Sequence, residues 1–400
     1  GGGHSGGGMG SQSPEGGPDS STAGNPTAGS GGEPPDASGG SGGSGGNGGT
    51  GGGGAGGNGG TADMPDASDG GGNIDVDAAD GASDASVTPP FDPGPSGTLI
   101  EYPIPSVDGG GPVPDTESRI AAGADGNVYV TDPVMDRIYR VTPQGAFTQF
   151  QLAASSRPHG ITRGPDGNVW FTENGANMIG RITPAGDISE FTIPSSLTGP
   201  QGIAAGPDGN VWFTEQTGNR VARVILDSDA AATPGMTEYP LPNASSYPRD
   251  ITTGPDGNLW FTEQAGLRIG TITPGGFITE YTVGISGSPL GITAGSDGNV
   301  WFTEQNDKIS QITPAGTVTE YDVSNAGCVP LVITSGSDDN LWYTCHSLSM
   351  LGITDPLDPT HPTSSTLYAL NSEPTGITAG PFNLIFFVED AARNVGYRVP

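Results

Sequence analysis

The chain has 400 residues, 71 of them Gly and 37 Pro, with 13 basic residues against 44 acidic ones and a formal net charge of −31. That balance argues against nucleic acid or anionic lipid as a partner and leaves cations and neutral ligands. No run of 18 or more apolar residues occurs, so no transmembrane helix is expected.

Residues 1–96 are Gly, Ser, Pro, Asp and Ala with almost no aromatic residue, and the first basic residue of the chain is Arg119. Such a segment cannot bury enough apolar surface to offset chain entropy, so a disordered, acidic linker is expected. As a Gly-rich coil it would span roughly 55 Å end to end, the reach of a tether. Linkers of this kind often follow an export signal, so the chain is expected to be exported, whether secreted, periplasmic or tethered at a surface. Its signal region would lie outside this sequence. The tail holds 12 of the acids, which leaves residues 97–400 with 32 acids against 13 bases.

From residue 97 onward the chain repeats. An isoleucine precedes an aromatic by nine residues seven times: Ile120 and Tyr129, Ile161 and Trp170, Ile203 and Trp212, Ile251 and Trp260, Ile292 and Trp301, Ile333 and Trp342, Ile377 and Phe386. Successive aromatics lie 41 to 48 residues apart, the period of four-stranded propeller blades. The second unit gives the anatomy. Asp166-Gly167 is a tight-turn pair joining strand A, about 159–164, to strand B, about 168–173. Val169, Trp170 and Phe171 are apolar without alternation, as expected for a strand covered on both faces. Strands C (Met178 to Ile182) and D (Asp187 to Ile193) follow, separated by Pro184-Ala185-Gly186.

The last unit ends on a C strand, Arg393 to Val399, and its missing D strand lies at the front. Thr98-Leu99-Ile100-Glu101-Tyr102-Pro103-Ile104-Pro105 matches the D strands Ile188 to Pro194 and Met236 to Pro242. The fold class expected is therefore all-β: a monomeric seven-bladed β-propeller over 97–400, closed by an N-terminal strand.

The residue opening strand A and the residue closing strand B lie at one end of the propeller. The openers are Ser118, His159, Gln201, Arg249, Leu290, Leu331 and Thr375; the closers are Asp132, Glu173, Glu215, Glu263, Glu304, Cys345 and Glu389. Six acids among seven closers suggest an electronegative rim able to attract a divalent cation, or a recurring loop cap. Cys328 and Cys345 flank the hairpin of the sixth unit and face each other across it, as a disulfide in an oxidising compartment or as two buried thiols. A bridge there would contribute roughly 3 kcal/mol.

The repeated wording P-x-G-I-T-x-G-P-D-G-N-[VL]-W-F-T-E, then N-x-I-G-R-I-T and G-x-I-x-E-[YF], resembles virginiamycin B lyase, the streptogramin lyase, over about 97–400. The resemblance implies an antibiotic-resistance activity: a Mg²⁺-dependent carbon-oxygen lyase that opens a cyclic peptide ester by elimination. It also implies where that chemistry would sit, in the sixth and seventh blades. The metal carboxylates correspond to Glu373 and Glu389, the general base to Thr375, and a second histidine to Leu331. Both imidazoles are replaced, and Thr375 has no pKa with which to accept a proton near neutrality. The family's catalytic wording recurs instead as Arg157-Pro158-His159-Gly160-Ile161, which makes His159 a candidate base, with Glu173 closing the same hairpin. Two expectations stand: a propeller that binds a small molecule, cyclic peptide or cation, or a Mg²⁺-dependent lyase.

Overall fold

The computed structural model describes residues 91–105, 117–226, 233–282, 284–323, 326–358 and 366–400; most of the linker expected over 1–96 falls outside them. The described strands form seven four-stranded antiparallel sheets. Six are made of consecutive strands, and the seventh has the order Leu99–Pro103, Asn394–Arg398, Ile385–Glu389, Pro374–Ala379. The first strand thus closes the last blade, with Leu99 opposite Arg398 and Pro103 opposite Asn394. The folded region begins earlier than residue 97, because the Phe91 ring packs on Phe382 and Tyr397, centroids 5.2 and 5.9 Å away.

The apolar core lies between blades. Trp170 and Ile179 of the second blade pack with Ile203, Val211 and Phe213 of the third, and the arrangement recurs around the ring. Each blade tryptophan is sealed, and its indole N–H needs an acceptor once removed from water. The Asp of the Asp-Gly turn supplies it: Trp170 donates to Asp166 (3.0 Å), Trp212 to Asp208 (3.0 Å) and Trp260 to Asp256 (2.9 Å). The same rings stack on the D-strand aromatics, Trp170 on Phe191 and Trp260 on Tyr281, both at 5.7 Å. The turn dipeptide, the indole and the outer aromatic therefore act as one unit per blade.

The innermost strands pack on one another around the axis. In blades two to six each carries a one-residue bulge just after its proline, as between Pro158 and Ile161 or Pro248 and Ile251. Two residues there oppose a single B-strand threonine, and the extra residue turns the opener toward the axial mouth. The backbone N–H of the residue after the opener donates to that threonine: Gly160 to Thr172 (2.8 Å), Gly202 to Thr214 (2.9 Å), Asp250 to Thr262 (3.0 Å) and Gly291 to Thr303 (2.9 Å). Each hydroxyl then donates onward to the opener of the next blade: Thr131 to the His159 carbonyl (3.0 Å), Thr172 to Gln201 (2.8 Å), Thr214 to Arg249 (2.7 Å), Thr262 to Leu290 (2.9 Å) and Thr303 to Leu331 (3.1 Å).

Replacing Thr214 by the isosteric valine leaves one buried donor and one buried acceptor unsatisfied. It should destabilise the ring by roughly 2 kcal/mol, read as a lower midpoint of denaturant unfolding at unchanged slope. Deletion of residues 1–90 should leave the melting temperature nearly unchanged, whereas deletion through residue 105 exposes the edge of Asn394–Arg398 and should cause aggregation, measured by light scattering.

Candidate binding site at the axial mouth

The residue following each opener faces the axis, and where it is glycine the neighbouring blade's backbone fills the space a side chain would need. A Cβ on Gly160 would lie 2.2 Å from the Gln201 carbonyl oxygen, and one on Gly291 would lie 2.8 Å from that of Leu331. Three blades depart from glycine at this position, with Arg119, Asp250 and Val332. All three line the axial channel, together with His159 and Arg249. Arg119 is held by its own Nη1, which donates to the Thr375 carbonyl at 2.9 Å. Asp250 accepts the backbone N–H of Ile251 (3.0 Å) and Ile292 (3.3 Å). Burial pushes the Asp250 carboxyl above its ordinary range, although the Arg119 charge opposes the shift.

Above the channel one carboxylate gathers three groups. Glu117 accepts from Arg249 Nη2 (2.5 Å) and Arg119 Nη2 (3.3 Å), and lies 3.1 Å from His159 Nε2. Burial raises the Glu117 carboxyl, but the His159 hydrogen bond and the two guanidinium charges outweigh it and hold the group well below the usual carboxylate range. Burial lowers the His159 imidazole despite the Glu117 contact. A neutral ring bonded through Nε2 to a carboxylate carries its proton there, which leaves Nδ1 as an acceptor. Among the described residues Nδ1 has no hydrogen-bond partner.

Two cavities meet at Glu117 and Arg249. One, of about 350 Å³, is lined by Arg157, Asn174, Gln201 and Gln216 with His159; the other, of about 200 Å³, by Leu290, Gln305, Val329, Leu331, His346 and Thr375. Arg157 and Val329, at φ +48° and +46°, adopt the left-handed backbone that the third blade gives to Gly199 at φ +60°. Non-glycine residues in that region carry strain, which here holds two side chains at the cavity edges.

The sequence candidates fall into separate places. His159 is at the mouth. Leu331 and Thr375 are buried in the wall of the smaller cavity, and Thr375 Oγ1 makes no hydrogen bond among the described residues. Glu373 is half exposed, 3.8 Å from His346 Nε2. Glu389 is fully buried and accepts from the Ser372 N–H and Asn394 Nδ2, both at 3.0 Å. Its oxygens are thus engaged internally, and among the described residues no three His, Cys, Asp or Glu side chains gather as a metal-ligand set. This arrangement does not fit a Mg²⁺ centre on Glu373 and Glu389. Cys328 and Cys345 are joined in a buried disulfide beside Val329 and His346.

The closing carboxylates do not form an exposed rim. Glu173, Glu215, Glu263 and Glu304 have no exposed surface, because the loop leading into each A strand and the D strand close over them. Glu304 accepts the Gly287 N–H at 2.6 Å, and Arg268 lies 3.2 Å from Glu263. Burial pushes Glu173 and Glu263 up to about 7. Burial and the nearby Glu238 charge push Glu215 up to about 8, against Arg220 at 3.6 Å. Glu117, Arg119 and Asp250 lie at neither the opening nor the closing positions of the repeat. The signal for the last two was available as breaks in the P-x-G-I pattern.

Comparison with known proteins places this geometry in a family. The sequence profile of the virginiamycin B lyase family matches residues 94–288 and 230–399. Among solved structures, a virginiamycin B lyase from Staphylococcus aureus is 35% identical over 76% of this chain and 99% of its own, with a TM-score of 0.67. A streptogramin B lyase is 32% identical over 75% and 96%, with a TM-score of 0.66. A catalytically inactive histidine-to-alanine variant of the S. aureus enzyme, with quinupristin, is 33% identical over 76% and 100%, with a TM-score of 0.65. Comparison with curated proteins finds no match.

The raised closing carboxylates give the ring a pH dependence. Their folded-state values lie above the ordinary carboxylate value, so folding takes up protons. The stability they contribute is fully present below about pH 4.5 and is lost as pH rises through 7 to 8. The melting temperature should therefore fall by at least about 5 °C between pH 5 and pH 8.5, and Glu215→Gln should flatten that fall, measured by calorimetric scans across the range.

Proposed function

The chain belongs to the virginiamycin B lyase family, and from that premise we propose that it is a ligand-binding propeller, exported and monomeric, that takes a small molecule or cyclic peptide at its axial mouth without opening it. The observation that carries this reading is the pair at the family's catalytic positions: Thr375 and Leu331, both buried, offer no group able to remove a proton near neutral pH. What lies beside them is suited to recognition. Guanidinium groups, side-chain amides and an apolar wall converge on two adjoining cavities, the mix of directional polar groups and apolar surface that small-molecule sites use. The disulfide supports an oxidising, extracytoplasmic setting. No helix among the described residues is long and apolar enough to cross a membrane.

A second reading, lyase activity relocated to the second blade, has one observation in its favour. His159 is held neutral and oriented by Glu117, the disposition of a general base. The two readings separate on turnover. Incubation of the full chain with quinupristin and Mg²⁺, followed by mass spectrometry and chromatography for the opened ring, should give no product above the protein-free control. Product that disappears in His159→Ala would establish the second reading and end the first.

A further inference from the structure

The backbone that carries the mouth residues, and the Arg119 side chain itself, are placed by bonds that do not involve Glu117. The His159 and Arg249 carbonyls are fixed by Thr131 and Thr214, and the Arg119 guanidinium is fixed through the Thr375 carbonyl. Glu117, by contrast, belongs to no strand. Its side chain is 37% exposed, against 10% to 14% for its three partners. The seat formed by Arg119, Arg249 and His159 is thus occupied by the most exposed member of the cluster, at the point where both cavities open. Beside that seat the larger cavity presents the amides of Asn174, Gln201 and Gln216, and His159 Nδ1 has no hydrogen-bond partner among the described residues.

The geometry points to a carboxylate-binding site in which Glu117 is an internal stand-in for the ligand: a hydroxylated carboxylic acid of sugar-acid size displaces its side chain and sets its own carboxylate between Arg249, Arg119 and His159. The inference rests on reading the ring as a binding propeller and supplies the class of ligand. Exchange of one carboxylate for another keeps the charge balance of the mouth, whereas a bound cation would face two guanidinium groups at close range. A cavity of about 350 Å³ is large enough for a single sugar ring. Its amides can each donate to and accept from hydroxyls, which an apolar acid could not satisfy.

An internal competitor lowers apparent affinity by the fraction of time that it vacates the seat, so its removal should tighten binding. Glucuronate titrated calorimetrically into the full chain should bind Glu117→Gln at least about tenfold more tightly than wild type. Glucose, and sodium chloride at matched ionic strength, should give no such gain, and Arg249→Gln added to Glu117→Gln should abolish the binding. Equal affinity of wild type and variant, or no binding by a variant with native far-UV circular dichroism, overturns the proposal. Equal binding of glucose and glucuronate overturns the carboxylate assignment while the ring remains a binding propeller; quinupristin turnover instead strikes the reading beneath it. Should Glu117→Gln fail to fold, wild type carries the test: its glucuronate binding must be competed by acetate and lost in Arg249→Gln.

Discussion

The threonine that precedes the closing residue of strand B in six of the seven blades is the contact on which the rest of this ring depends. A bulge at the mouth leaves a backbone N–H without its ladder partner and lets the opener swing toward the axis. One hydroxyl both accepts from that N–H and donates to the next opener's carbonyl. Position is therefore handed from blade to blade, and the mouth residues are set by the ring as a whole. The seventh blade has Val388 where the others have threonine. The opener that a hydroxyl at Val388 would reach is Ser118, whose carbonyl lies 3.5 Å from Arg119 Nη1; the same nitrogen donates to the Thr375 carbonyl at 2.9 Å and so ties the first blade to the seventh. The guanidinium brings its second nitrogen to Glu117 as it does so.

That seam also places a guanidinium on the axis. A buried guanidinium loses hydration and requires compensation, which Asp250, the Thr375 carbonyl and Glu117, two residues earlier in the same segment, supply. The axial side chains are departures from a glycine that elsewhere admits the neighbouring backbone. The chemistry of the mouth thus grows out of the places where the repeat fails.

Much of the architecture was legible because one residue type at one period has one structural cause. The Asp-Gly turn, the indole nine residues after isoleucine and the displaced first strand all lie where the spacing puts them. The direction in which the closing acids face was not legible. A repeated Thr-Glu looks the same whether its carboxylate meets solvent or is covered by the D strand and the incoming loop, and only the packed blade decides. Glu117 was hidden for a related reason: its partners His159 and Arg249 lie 42 and 132 residues away, and no local pattern records a meeting at the axis. Thr375 and Leu331 could be read off the repeat as strand openers, but that the Thr375 hydroxyl makes no hydrogen bond among the described residues could not.

The displaced strand also sets the order of events during synthesis. Six blades are contiguous and can form as their residues emerge, but the seventh needs Leu99–Pro103 to wait for Asn394–Arg398 at the far end of the chain. Bringing such distant segments together carries a loop-closure entropy that only the finished edge-to-edge pairing offsets. Until then the ring is an open arc, with Arg119 on one side of the gap and the Thr375 carbonyl that anchors it on the other. The cationic seat therefore comes into existence only on completion of the last blade, so an unfinished chain has blades but no mouth.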